Sequence, residues 1–380
     1  MRGSTAIVGI GEAGIGTGMG YTHLELLSLA VSDALAEANV NLDQVDGLFT
    51  ANLVNFFPTL TVAEYLGISP TVMDGTNLGG GSFENFLMSA ALALNAGLCS
   101  VALICYGSNA RSGSGKHTTM AETPPYEAPY RPRLPITAYA LAAARHMHEF
   151  GTTRTHLAEV AVAARRWAQL TPNACERGDL SVEDVLAAKM VSSPLTVRDC
   201  CLVTDGAGAV VMTRTDRAKH GPKPPVYLLG AASATSHRQI SAMPDLTSTA
   251  ATVSGTRAYA MAGVNAGDID LAMLYDAFTI NVLLFLEDLG FCGKGDGGAF
   301  VENGGIAPGG RLPVNTNGGG LSYCHPGMFG VFQVVEAVRQ LRGEAGQRQV
   351  RDAHVALCHG NGGTLSSQCS AVLGSVATVG

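Results

Sequence analysis

One α/β pattern runs through this chain twice, in the same order, and that narrows its possible folds more than any other feature. The apolar strand Ala6–Ile10 has a counterpart in Val226–Gly230. Leu35-Ala-Glu-Ala-Asn-Val-Asn-Leu-Asp-Gln-Val-Asp46 is echoed by Tyr259-Ala-Met-Ala-Gly-Val-Asn-Ala-Gly-Asp-Ile-Asp270. Asn77-Leu-Gly-Gly-Gly81 is echoed by Asn317-Gly-Gly-Gly320, and each run precedes a helical pattern ending in Ala-Gly, at Ala96-Gly97 and Ala345-Gly346. Val101-Ala-Leu-Ile104 returns as Val355-Ala-Leu-Cys358. Ordered self-similarity of this kind marks an internal duplication. The spacing predicts an N-terminal half at residues 1–217 and a C-terminal half at 226–380, joined by the charged, proline-rich linker Lys219–Pro225.

Within the first half, short apolar strands alternate with helical patterns. Strands are expected at Thr5–Gly9, Gly47–Ala51, Thr71–Asp74 and Ser100–Cys105, and helices at Leu24–Ala38, Thr61–Leu66 and Phe83–Asn95. Such alternation with short connections predicts a mostly parallel, buried sheet. Residues 109–197 break the rhythm. Ser112–Lys116 is expected to be flexible, Met120–Arg133 is rich in proline, tyrosine and arginine, and helices are expected at Thr137–Phe150 and Thr155–Leu170. This reads as an insertion over one end of the sheet, where substrate-covering elements sit.

Hydrophobic residues make up 47% of the 380 residues and charged residues only 14%, so a large core and a small exposed surface are expected. The net charge is −7, and the most basic stretches, Arg131–Arg133 and Lys219–Lys223, are short, which argues against a nucleic-acid partner. They are solvated loops or help to hold a phosphate group. No apolar run reaches membrane-spanning length, and no secretory leader pattern is visible. The nine cysteines lie in apolar stretches without metal-ligand spacing. Free thiols in a reducing cytoplasm are expected, with no metal or redox cofactor.

Four motifs carry the chemistry. They are Asp205-Gly206-Ala207-Gly208-Ala209, Tyr275-Asp276-Ala277-Phe278-Thr279, Gly318-Gly-Gly-Leu-Ser-Tyr-Cys324-His325-Pro326-Gly327 and Leu357-Cys358-His359-Gly360-Asn361-Gly362-Gly363. In this order and at these separations they resemble the thiolase superfamily nearly end to end, and within it the sterol-carrier-type branch. The resemblance implies a five-layered α-β-α-β-α fold from two duplicated halves. It further implies a coenzyme A thioester as substrate, no tightly bound cofactor, and a homodimer with the strand Ser100–Cys105 near its axis. One departure stands out. The nucleophilic cysteine of thiolases falls at Gly80, which has no side chain to attack with.

A thiolase site forms an acyl-cysteine and stabilises an acyl-CoA enolate. Without the cysteine only the second task remains, and that suits retro-aldol cleavage of a bulky β-hydroxyacyl-CoA to a carbonyl compound and a short acyl-CoA. Glycine at position 80 is expected to leave room for a bulky β-carbon. His325 matches the histidine that donates to the thioester oxygen, or is a loop histidine satisfied by backbone. Tyr275 and Tyr323 resemble tyrosines of steroid side-chain retro-aldolases in the superfamily; the plainer reading is packing with a polar tip. Cys358 matches the acid/base cysteine or is a buried thiol, and His359 is a substitute for it. Among substrate-binding candidates, Gly80 and Gly362 lie in the glycine motifs. Ser82 is expected to cap the Phe83 helix, and Asp276 either orients a neighbour or binds backbone. Two other readings stay open: a thiolase or acyltransferase with a displaced cysteine at Cys324 or Cys358, and a non-catalytic acyl-CoA-binding subunit. The resemblance also implies a small zinc-ribbon/OB-fold partner protein, for which residues 120–133 offer a docking segment.

Overall fold

Short apolar runs build the strands of the first half: β1 (Thr5–Gly16), β2 (Gly47–Phe49), β3 (Val72–Asp74) and β4 (Ala102–Ser108). The computed structural model describes residues 1–18, 20–113 and 125–379. Most of Ser112–Lys116, expected to be flexible, and residues 120–124 of the proline-tyrosine-arginine segment lie outside the described residues. The helices between these strands are α1 (His23–Ala38), α2 (Pro58–Leu66) and α3 (Ser82–Asn95). The insertion supplies α4 (Ile136–Phe150), α5 (Arg154–Gln169), α6 (Val182–Ala187) and the hairpin of β5 (Met190–Ser192) and β6 (Leu195–Thr196). β7 (Asp205–Arg214) and the short α7 (Thr215–Ala218) close the half.

The second half runs β8 (Val226–Thr235), α8 (Ala251–Ala262), β9 (Leu271–Leu274), α9 (Thr279–Asp288), α10 (Gly297–Val301), α11 (Gly330–Leu341), β10 (Val355–Gly362) and β11 (Ser367–Gly374). Nine strands join in the order β3-β2-β4-β7-β1-β8-β11-β10-β9. Read outward from the centre, each half has the same sequence of pairings. β1–β7 and β7–β4 are antiparallel and β4–β2 is parallel; likewise β8–β11 and β11–β10 are antiparallel and β10–β9 is parallel. Beyond β9 an isolated parallel bridge, Ala272 to Val314, stands where β3 stands in the first half. The two half-sheets pair at Ala6–Tyr227 and Ile7–Val226.

The duplication extends to close packing. A Cβ on Gly9 would stand 2.1 Å from the Ala34 carbonyl of α1, and one on Gly230 would stand 2.3 Å from the Ala258 carbonyl of α8. Both glycines let an outer helix lie directly on its strand. α1 and α8 are the outer layers, while α3 and α11 form a central layer touching both half-sheets. α3 is accordingly buried around most of its circumference (Phe83, Phe86, Leu87, Ala90, Ala91 and Leu94 among others), as a helix between two sheets must be.

Two expectations need correction. The sheet is not mostly parallel: five of its eight strand pairings are antiparallel and three are parallel; β4 lies between β2 and β7, and the open edge of this half is β3. Ser82 does not cap α3, because the helix starts at Ser82 and the cap position is Gly81, without a side-chain bond. Ser82 Oγ instead donates to the Gly79 carbonyl (2.8 Å) and accepts from Leu78 N (2.9 Å), holding the glycine run in place.

Candidate active site

The loops that follow β9 and precede α11 converge on the start of α3. Tyr275 directly follows β9, and its backbone N–H donates to the His359 carbonyl of β10 (3.0 Å). Its ring reaches the glycine run: a Cβ on Gly80 would lie 2.1 Å from Cε2, 2.3 Å from Cζ and 2.3 Å from the hydroxyl oxygen. The phenol of Tyr275 therefore fills the space a side chain at position 80 would need. This corrects the expectation of an open space there for a substrate carbon.

The Tyr275 hydroxyl accepts from Phe329 N (3.1 Å) and lies 2.9 Å from Nε2 of His325, with the two rings nearly perpendicular. Thr204 locks His325 in place, since the histidine N–H donates to Thr204 Oγ1 (3.0 Å) and its carbonyl accepts from Thr204 N (3.3 Å). Burial pushes the imidazole down to about 4, so the ring is neutral at physiological pH. Burial also raises the Tyr275 phenol well above its ordinary value, Cys201 adding to the shift. The pair is thus a neutral hydrogen-bonded dyad, its tyrosine buried and its histidine half-buried.

Asp276 binds backbone. Its carboxyl accepts from Gly320 N (2.6 Å) and Leu321 N (3.3 Å) and pins the tight turn Gly319–Tyr323 that delivers His325. Burial raises it to about 7 against those bonds. The insertion covers the same turn, with Cys175 N and Glu176 N donating to the Tyr323 and Ser322 carbonyls (3.1 and 3.0 Å). Tyr139 of α4 donates to the Gly363 carbonyl (3.0 Å) and receives a bond from Asn361 Nδ2 (2.8 Å).

Among the described residues, none of the remaining candidates bonds through its side chain to the dyad. Tyr323 is buried, and its hydroxyl donates to Glu12 Oε2 (3.1 Å) and accepts from Asn173 Nδ2 (3.1 Å), while Arg339 Nη1 holds the same Glu12 oxygen (2.5 Å). Among the described residues it shares no hydrogen-bond partner with Tyr275; its hydroxyl is engaged by Glu12 and Asn173. His359 is a core residue. Successive side chains of a strand point to opposite faces, and His359 faces away from Cys358, its nitrogens bonded to Ser370 Oγ and Gln368 Oε1 (2.9 Å each) and its ring packed on Phe285. Cys358 is buried with its thiol toward the Gln333 carbonyl (3.7 Å). Burial holds the thiols of Cys358 and Cys324 well above their usual range, with the Glu84 and Glu12 carboxylates adding to it respectively. Neither is poised as a thiolate nucleophile. Gly362 permits a close approach: a Cβ there would stand 1.5 Å from the Leu78 carbonyl. The Asp205 motif is a clamp, its carboxylate accepting from Gly18, Arg111 and Ser112 N–H groups at 2.6–3.0 Å. Sequence reasoning missed Glu84, a fully buried carboxyl on α3. Its signal was visible: a lone charge inside a glycine-opened apolar helix.

Residues 232–375 match the family described as thiolase C-terminal domain-like. A 17-hydroxy-3-oxo-4-pregnene-20-carboxyl-CoA lyase of Mycobacterium tuberculosis is 34% identical over 95% of this chain and 97% of its own. The chain belongs to the thiolase superfamily. An acetyl-CoA acetyltransferase of Methanothermobacter thermautotrophicus is also 34% identical, over 94% of this chain and 96% of its own. A solved structure titled Ltp2-ChsH2(DUF35) aldolase superposes with a TM-score of 0.89 at 32% identity, covering 98% of each chain. The duplicated halves seen here are thus those of a thiolase fold.

Proposed function

We propose that this chain is a lyase that cleaves the α,β carbon–carbon bond of a bulky β-hydroxyacyl-CoA by retro-aldol chemistry. The observation that carries the reading is the Tyr275 phenol standing in the space of a nucleophile at position 80. A thiolase or acyltransferase needs a side chain there; a retro-aldolase needs a proton acceptor for the β-hydroxyl. Related chains of near-equal length carry lyase and aldolase names, and these support the same class.

The dyad can move that proton without forming a free phenolate. The β-hydroxyl hydrogen passes to the Tyr275 oxygen as the phenol proton passes to Nε2 of His325, which is neutral and open to it. The carbon–carbon bond breaks, a carbonyl compound leaves, and its former bonding pair becomes the enolate of the short acyl-CoA. Reprotonation at the α-carbon, with release to water of the proton held by His325, completes the reaction. No cofactor beyond the coenzyme A of the substrate takes part. We place the protein in the cytoplasm, as a homodimer joined along the β3 edge. A small zinc-ribbon/OB-fold partner docks near Tyr126 and Tyr130, which are 89% and 85% exposed. The two-component name of the solved relative supports a partner.

The test is 17-hydroxy-3-oxo-4-pregnene-20-carboxyl-CoA incubated with the full chain, alone and with such a partner, and followed by mass spectrometry. Cleavage to a ketone and a short acyl-CoA is expected. Tyr275→Phe should lose about 10²- to 10⁴-fold in turnover, the range of one acid–base group. It should also lose roughly 1–3 kcal/mol of stability, because Phe329 N–H is left without its acceptor. A covalent acyl-protein adduct without cleavage would support the acyltransferase reading instead.

A further inference from the structure

Glu84 stands out because its chemistry is unused. It is 1% exposed, and neither carboxyl oxygen has a hydrogen-bond partner among the described residues. Burying a carboxyl without partners is costly, and an apolar residue would serve α3 better there. The surroundings are nevertheless shaped to it. A Cβ on Gly360 would stand 2.1 Å from Glu84 Oε2, and one on Gly330 2.5 Å from the same oxygen. Gly360 lies on the same face of β10 as Cys358, two residues away. Gly330 follows Phe329, whose N–H holds Tyr275, and its Cβ would lie 2.4 Å from the Gly80 carbonyl. The carboxyl thus sits under the glycine run, between the start of α11 and the strand that carries Cys358.

We propose that Glu84 is the acid–base group that exchanges a proton with the α-carbon of the bound acyl-CoA. The inference rests on the lyase reading and supplies its last step. In cleavage, the protonated carboxyl gives its hydrogen to the α-carbon, the enolate electron pair forms the new C–H bond, and the carboxylate left behind recovers a proton from the water admitted when the products leave. In the reverse direction the carboxylate removes an α-hydrogen and an enolate forms. Burial raises the carboxyl to about 8, which keeps it loaded with a proton near neutrality. The start of α11 faces the transient carboxylate with the positive end of its dipole.

The experiment uses propionyl-CoA, the full chain and heavy water, with deuterium at the α-carbon read by mass spectrometry. The parent protein should catalyse the exchange. Glu84→Gln should lower it at least about 100-fold, the lower bound for one acid–base group, with unchanged affinity for propionyl-CoA by calorimetry and no loss of thermal stability. If the Gln variant does not fold, Glu84→Met replaces it with a side chain of matching length that needs no partner, and the same loss is expected. Exchange at the parent rate in a folded Glu84 variant overturns the proposal. A parent protein without exchange would instead defeat the enolate reading, and the role of Glu84 with it.

Discussion

At position 80 an absent side chain and a present one are two halves of a single change. Gly80 removes the attacking group, and Tyr275, contributed by the other half of the chain, occupies the vacancy with a hydroxyl. Restoring a cysteine should therefore fail on steric grounds. Gly80→Cys forces a Cβ to within 2.1–2.3 Å of the Tyr275 ring and should destabilise the protein; overpacking of this kind costs roughly 1–3 kcal/mol. Adding Tyr275→Ala should recover most of that loss, as expected for residues in contact. Thermal unfolding of both variants checks it, and a Gly80→Cys protein as stable as the parent would refute the close packing. At this scale Gly80 and Tyr275 were legible because they depart from the pattern they resemble, and His325 because it matches that pattern. The direction of the Tyr323 hydroxyl was not, since its acceptor Glu12 lies 311 residues away in sequence.

Helices and strands were largely legible where they repeat an apolar period. α1, α4 and α5 fall within one residue of their expected starts, because their buried stripes are continuous. β1 is longer than expected: its second part, Gly11–Gly16, is glycine-rich and takes its strand form from pairing with β7 rather than from apolar alternation. His359 shows the opposite lesson, since the alternation of a correctly placed strand already sends it away from Cys358. α3 carries a prediction of its own, because a buried helix has no solvent to relieve Glu84. The carboxyl is raised from 4.5 to about 8 in the fold. Below about pH 4.5 both folded and unfolded chains hold the proton. Between there and about 8 the unfolded chain releases it and the folded one keeps it, so stability falls as pH rises through that window. Glu84→Gln removes this term. Its stability advantage over the parent should grow from pH 5 to pH 8, at up to about 1.4 kcal/mol per pH unit. Urea unfolding at the two pH values measures it, and a gap that does not widen would show that the carboxyl is solvated.

For the molecule as a whole, the doubled sequence pattern foretold the doubled topology, and the structure adds a matching pair of packing glycines at 9 and 230. It did not foretell which strand stays open, because strand order depends on pairings between distant segments. The open strand is β3, and Phe56 and Phe57, just ahead of α2, are 90% and 59% exposed. Unpaired edges and exposed aromatic side chains of this kind invite a second copy. Light scattering at micromolar concentration should give twice the mass of the chain, and replacing Phe56 and Phe57 by aspartate should shift it toward one. A parent protein that runs as a single chain would sink this reading. The near-twofold relation between the halves has a further consequence. The residue after β9 is Tyr275, and its topological twin after β2 is Thr50. An ancestral pair of identical halves would have presented the same residue twice, so the two positions have since diverged, and the site described above uses the second. Variation among natural sequences of this type should therefore be lopsided, with substitutions accumulating at the twin positions of the first half and sparing those of the second.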